Sequence, residues 1–230
     1  MAQTRKAVIF FLSFFITLLA TSLFFQLISP AIVDKDQSVM FNIISPLIAT
    51  IGLVVFMLLQ GLIRYLFYRK TLVSNTNLIT ANIYKFSFKE RLLPYLFLIL
   101  INLAPFLGTI IFNYTFLIRI LIFIGAIIII EILLKISNKK TNVFFQRNGI
   151  LITGFDVRIE IPFGINMNIH NDSAFYNYND IKDYIVLPDH IELNIINDYG
   201  KIEFMADEEL KRQVTGIMMQ NKIPVKKVME

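Results

Sequence analysis

The run from Ala7 to Ser29 is 23 residues long and carries no charged side chain. A helix rises 1.5 Å per residue, so about 20 apolar residues cross the roughly 30 Å hydrocarbon core of a bilayer. A transmembrane helix at about 7–29 is therefore expected. The competing reading is a secretory signal, since Arg5 and Lys6 form a basic leader and Leu19-Ala20-Thr21-Ser22 offers small residues. The apolar run continues through Leu23-Phe24-Phe25, which favours a retained span.

Two further stretches have the same character. The first covers about 40–63 and is interrupted only by Asn42, Ser45, Pro46 and Gln60; a proline is tolerated in a membrane where neighbouring helices satisfy the carbonyl it frees. The second, Leu92 to Ile136, is 45 residues long, and Asn113-Tyr114-Thr115 divides it into spans at about 92–112 and 116–136. Four spans in residues 1–140 follow. Composition agrees: the chain is 56% hydrophobic and 17% charged, where soluble domains average about 45–50% and about 25%.

The net charge of +5 conceals two unlike parts. Residues 1–140 carry +9 and residues 141–230 carry −4. Short loops rich in Lys and Arg stay on the cytoplasmic side. Arg5 and Lys6 precede the first span, Arg64, Arg69, Lys70, Lys85, Lys89 and Arg91 lie between the second and third, and Lys135, Lys139 and Lys140 follow the fourth. The expected localisation is a multi-pass protein of the cell membrane with both termini cytoplasmic. The basic inner loop 64–91 interleaves those bases with Tyr65, Phe67, Tyr68, Tyr84, Phe86 and Phe88, a mixture suited to anionic headgroups. Its six bases are lipid-headgroup candidates. An acidic hydrophilic part argues against nucleic acid as a partner.

Polar side chains within spans are the first place to seek function. Arg119 and Glu131 lie in the fourth span, and Asn102 lies with Pro105 in the third. The simplest account has Arg119 snorkelling to the outer headgroups and Glu131 meeting Lys135 at i,i+4. The alternative is a gating, ion-pathway or inter-helix role. Asn102 and Gln26 read as inter-helix hydrogen-bonding groups. Ser13, Thr17 and Thr21 recur every fourth residue, forming a stripe for close helix packing or for bonding back to their own i−4 carbonyls.

After Ile136 the texture changes, with Ser137-Asn138-Lys139-Lys140 as a hinge. A hairpin is expected from Asn142–Arg147 and Ile150–Thr153 around Asn148-Gly149. Further strands are expected at 157–161, where Val157-Arg158-Ile159-Glu160-Ile161 alternates, and at 184–187, 191–196 and 202–205. A C-terminal helix at about 207–220 starts at an Asp207 N-cap and has Leu210, Val214, Ile217 and Met218 on one face.

Strands followed by one amphipathic helix in about 90 residues suggest a closed barrel with a helix. Tyr178-Asn179-Asp180-Ile181, leading into Tyr184, resembles the aromatic-x-Asp-Ile segment of the bacterial PH-like domains found on small membrane proteins, with Tyr178 where that family carries Trp. The resemblance covers about Thr141 to Lys222. It implies a small cytoplasmic PH-like β-barrel (141–230) with a C-terminal helix, which after the four transmembrane helices read from apolar length makes the expected fold an α+β membrane protein. It also implies a cytoplasmic scaffold or interaction module, often of an oligomer such as a homo-oligomer, and it does not imply phosphoinositide binding.

Enzymatic chemistry is poorly provided for. There is no cysteine and there are two histidines. His170 with Asp172 and Ser173, and His190 with Asp189, read as polar turn residues, and Asp156, Asp180 and Asp183 make a weak carboxylate set. No catalytic residue, metal site or cofactor is expected. The leading reading is a non-enzymatic membrane scaffold that binds a protein partner or its own copies. Immunity against a membrane-active peptide and a channel or transporter subunit are the alternatives.

Overall fold

The structure, a computed structural model, describes residues 2–32, 35–74, 76–103, 114–162, 171–196 and 200–226. Among the described residues, three helices are long and apolar enough to cross a membrane: α1 (Ala2–Ile32), the combined helix 37–74, and α5 (Tyr114–Lys140). The second is built from α2 (Gln37–Val39), a π turn (Met40–Ile44) and α3 (Ser45–Ser74). Of the span expected at 92–112, α4 (Phe88–Leu103) is described; residues 104–112, with Pro105, and the turn residue Asn113 lie outside the described residues.

The helices are apolar nearly all round, as lipid-facing helices must be. Phe15, Leu19 and Leu27 of α1 and Leu117, Leu121 and Ile128 of α5 point outward. The protein-facing core joins Leu53, Phe56 and Met57 of α3, Leu98 of α4, and Ala126, Ile130 and Leu134 of α5.

Among the described residues, the sheet part holds seven strands in two antiparallel sheets. The first is ordered β1 (Asn77–Asn82), β2 (Thr141–Gln146), β3 (Gly149–Gly154), β4 (Phe175–Asn177), and the second β5 (Ile181–Val186), β6 (His190–Ile195), β7 (Lys201–Met205). Beyond the end of β1, Ile83 bridges Phe204 of β7 and the Tyr84 N–H donates to Glu203 O at 2.8 Å, so the two sheets meet along one corner. The expected closed barrel is not formed. A 3₁₀ turn (Tyr178–Asp180) carries the chain away from β4, and the outer edge of β5 pairs with the C-terminal tail: Tyr184 N–H donates to Pro224 O at 3.1 Å and Lys226 N–H to Tyr184 O at 2.8 Å.

Helix α6 (Glu208–Gln220) starts where expected, its Asp207 carboxylate accepting the Leu210 N–H at 2.8 Å. Its buried Val214 and Met218 join a core of Val143, Phe145, Ile152, Tyr184, Leu193 and Phe204.

Several local expectations are corrected. The loop 64–91 is mostly ordered structure: α3 runs on to Ser74, and Asn77–Asn82 pairs with β2. The β2–β3 turn is Arg147-Asn148, with Gln146 opposite Gly149 and no positive φ at either turn residue. Gly149 serves a different purpose, since a Cβ there would sit 2.2 Å from Tyr176 O of the adjoining β4. Strand β4 was not expected, and residues 157–161 are not a strand. They belong to neither sheet, and Val157, Arg158 and Glu160 bond through their backbone to side chains of α3 and α5.

Candidate functional site

Beyond β3 the chain leaves the sheet and passes, as residues 155–160, between the ends of the membrane helices. The alternation seen in sequence persists, but both sides are buried. Val157 and Ile159 enter the helix core, while Asp156, Arg158 and Glu160 turn into a polar layer. A lone segment in a buried setting must find partners for its backbone groups. Helix side chains supply them: Arg64 Nη1 and Nη2 donate to Asp156 O (2.9 Å) and Arg158 O (3.2 Å), Gln60 exchanges bonds with Glu160 O and N–H (both 3.4 Å), and Ser137 Oγ accepts the Val157 N–H at 3.1 Å. This strap binds the sheet to α3 and α5.

The polar layer is a network of seven charged side chains from five parts of the fold. Arg158 is 1% exposed; it donates to Asp156 (2.9 and 2.7 Å), to Asn171 O (2.7 Å) and to Glu90 at the start of α4, and it lies 4.3 Å from the Phe86 ring centre. Arg64 pairs with Asp156 at 3.0 Å and Glu160 at 3.5 Å. Lys6 of α1 pairs with Asp172 and approaches Glu160 at 4.0 Å. Ser173 Oγ donates to Asp156 Oδ2 at 3.0 Å.

Three cations thus face four carboxylates. Burial alone would raise Asp156, but the Arg158 and Arg64 guanidiniums overcome it and hold this carboxyl well below the usual range. Burial works against Arg158 too, and Asp156 and Glu90 more than offset it, keeping the guanidinium charged. Glu160 goes the other way: burial, helped by the nearby Asp172 and Asp156 charges and opposed by Arg64 and Lys6, pushes it up to about 7.

Of the residues singled out in the sequence, Arg64, Asp156, Asp172 and Ser173 fall in the network, and the others lie elsewhere. Among the six headgroup candidates, Arg64 is buried in the network and Arg91 bonds to Glu131, leaving Arg69, Lys70, Lys85 and Lys89 exposed. Glu131 does not rely on Lys135; it accepts from Arg91 and Tyr95 of α4, which ties α4 to α5. Asn102 is buried and donates to Leu98 O of its own helix at 2.9 Å, while Gln26 is exposed. The Ser13, Thr17 and Thr21 hydroxyls each bond their i−4 carbonyl (2.7, 2.8 and 2.8 Å), and Thr21 faces Gly52 of α3. Thr17 and Thr21 also line an apolar cleft of about 390 Å³ between α1 and α3.

Tyr178, Asp180, Ile181 and Tyr184 are structural. The buried Tyr178 OH donates to Gln146 O at 2.8 Å, and burial pushes that phenol up to about 12. Asp180 accepts the Asn177 N–H at 2.9 Å, and Ile181 and Tyr184 are core residues. His190 stacks on Tyr84 and contacts Asp189 at 2.6 Å, apart from the network; His170 lies outside the described residues. Asp183 bonds Asn194, so Asp156, Asp180 and Asp183 are not brought together. Among the described residues no group of His, Asp and Glu is placed to hold a metal ion.

Arg119 does not snorkel outward. In the π turn the Ser45 N–H bonds Met40 O, so in that register Phe41 O awaits the N–H of residue 46, which is proline and has none. Arg119 fills that role: Nη1 donates to Phe41 O at 3.3 Å and Asn42 Oδ1 at 3.4 Å, and Nη2 to Ile101 O at 3.2 Å. Arg119→Ala is expected to destabilise the chain in detergent by about 2 kcal/mol, the scale of bonds to a charged donor. In a Pro46→Ala background the penalty should shrink by about 1 kcal/mol, because residue 46 regains its N–H. Equal penalties in the two backgrounds, read from thermal unfolding, would contradict this role.

Comparison with protein-family models, curated proteins and solved structures finds no match. The site therefore stands on its own geometry.

Proposed function

We propose that this chain is a non-enzymatic integral membrane scaffold, with four spans and both termini in the cytoplasm. It holds a PH-like domain in a fixed pose at the bilayer for a protein partner or a second copy. The strap carries this reading: a tethered module needs only a linker, whereas here side chains of α3 and α5 bond the backbone of one segment of the sheet part, and Glu90 of α4 pairs with its Arg158. The division into four and three strands with a C-terminal helix supports the PH-like assignment. The exposed Arg69, Lys70, Lys85 and Lys89 would face anionic headgroups, about 1 kcal/mol each near the surface.

The test uses the full chain in lipid nanodiscs and in sealed vesicles. Native mass spectrometry should show a defined oligomer, or cross-linking in the source membrane should capture one stoichiometric partner through the sheet part. A chain that stays monomeric and captures nothing, or that conducts ions across vesicles in a way abolished by Arg119→Ala, would overturn the proposal.

A further inference from the structure

Two carboxylate oxygens of the network, Glu160 Oε1 and Asp172 Oδ1, are buried and receive no hydrogen bond from the described residues. A buried acceptor without a donor costs roughly 1–3 kcal/mol, and more when charged. The groups facing Glu160 come from every element around it: Lys6 of α1, Gln60, Arg64 and Tyr68 of α3, Asp156 and Arg158 of the strap, Asp172 ahead of β4, and Tyr176 within it. With Glu90 paired to Arg158, the cations of the network number three and the carboxylates four. One proton would balance the charge and turn one bare oxygen into a donor.

We infer that the Glu160 carboxyl is a proton-binding site whose occupancy sets how firmly the strap is held against the helix ends. Arg158 and Arg64 claim Asp156, Arg158 claims Glu90 and Lys6 claims Asp172, leaving Glu160 with longer contacts of 3.5 and 4.0 Å. The site belongs to the strap itself, so proton uptake and docking are linked without any moving lid. The inference does not rest on the scaffold reading.

The sign follows from linkage. Glu160 is pushed up to about 7 when docked, against 4.5 for an ordinary glutamate, so the docked state binds the extra proton between those values. Docking is strongest below about pH 4.5 as far as Glu160 is concerned, and it weakens as the pH rises through about 7. Asp156 acts in the opposite sense, but only at pH values below the ordinary aspartate value of 3.8.

Hydrogen exchange of the strap amides in nanodisc-embedded chain, corrected for the intrinsic pH dependence of exchange, tests this. Between pH 5.5 and 8 protection should fall by about thirtyfold, the effect of about 1.5 pKa units of linkage lost over that range. Glu160→Gln, which mimics the protonated side chain in shape and charge, should keep the low-pH protection at both values. Asp172→Asn removes a neighbouring negative charge and should move the wild-type transition to lower pH. Protection that does not vary with pH in the wild type, or that varies equally in Glu160→Gln, would overturn the inference. So would an Asp172→Asn transition at the wild-type position.

Discussion

Arg158→Met is expected to cost about 3–5 kcal/mol of stability, the range for removing one partner from a buried ionic network. Methionine fills much of the volume and keeps the contact with Phe86, so the loss reports charge more than packing. What it leaves is severe: Asp156 and Glu90, both held by the guanidinium, face a low-dielectric interior without it, and Asn171 O loses a donor. Arg64 still reaches Asp156 and limits the damage there, which leaves Glu90 as the more exposed partner. Neutralising the partners in the same background, with Glu90→Gln and Asp156→Asn, should recover more than half of the loss, because the penalty lies in stranded charge. Denaturant unfolding in detergent measures both. A cost below about 1 kcal/mol for Arg158→Met would show that these groups are hydrated.

Gly61→Leu should release the strap while leaving the helices intact. A Cβ at Gly61 would stand 3.0 Å from Val157 Cγ1 and 3.1 Å from Asp156 O, so even Ala meets the strap backbone. For Ala the better helix propensity, about 1 kcal/mol over Gly, offsets much of that crowding. For Leu the extra volume must push residues 156–157 outward, at about 1–3 kcal/mol for overpacking, and this breaks the Arg64 bonds to Asp156 O and Arg158 O. Strap amides should lose exchange protection while those of α5 keep it. Gly125 is the control: nothing lies within 4 Å of a Cβ there, so Gly125→Leu should leave strap protection unchanged. Equal loss in the two variants would mean that Gly61 is not a contact point.

The membrane helices and the second sheet were legible because their signals are local. Apolar length defines α1, α3 and α5, and alternation with turn residues defines β5, β6, β7 and the capped α6. The strap carries the same alternation as a strand, and no local rule distinguishes backbone bonded to a neighbouring strand from backbone bonded to Gln60, Arg64 and Ser137. Strand β1 was hidden because it stands among bases and aromatics that also suit a membrane interface, far in sequence from its partner β2. A further clue lay in the second span, where Gln60, Gly61 and Arg64 fall within one turn of an otherwise apolar helix: a hydrogen-bonding pair beside a gap in side-chain volume. For a related reason the sequence left the snorkelling and inter-helix readings of Arg119 both open, since its contacts depend on a carbonyl orphaned by Pro46 on another helix.

The place of β1 in the chain sets an order of assembly. Asn82 pairs with Asn142, and helices α4 and α5 are made between them, so β1 leaves the ribosome with its partner not yet synthesised. At about 5–20 residues per second the intervening segment takes roughly 3–12 s to make. Throughout that time a bare strand edge waits at the membrane surface, open to pairing with other chains. The sheet can be completed only after the intervening helices are inserted, so a correctly formed β1–β2 ladder records that insertion has already succeeded. A cut at residue 141 would take the edge strand from the first sheet and remove Ala81 and Ile83 from the core they help to fill.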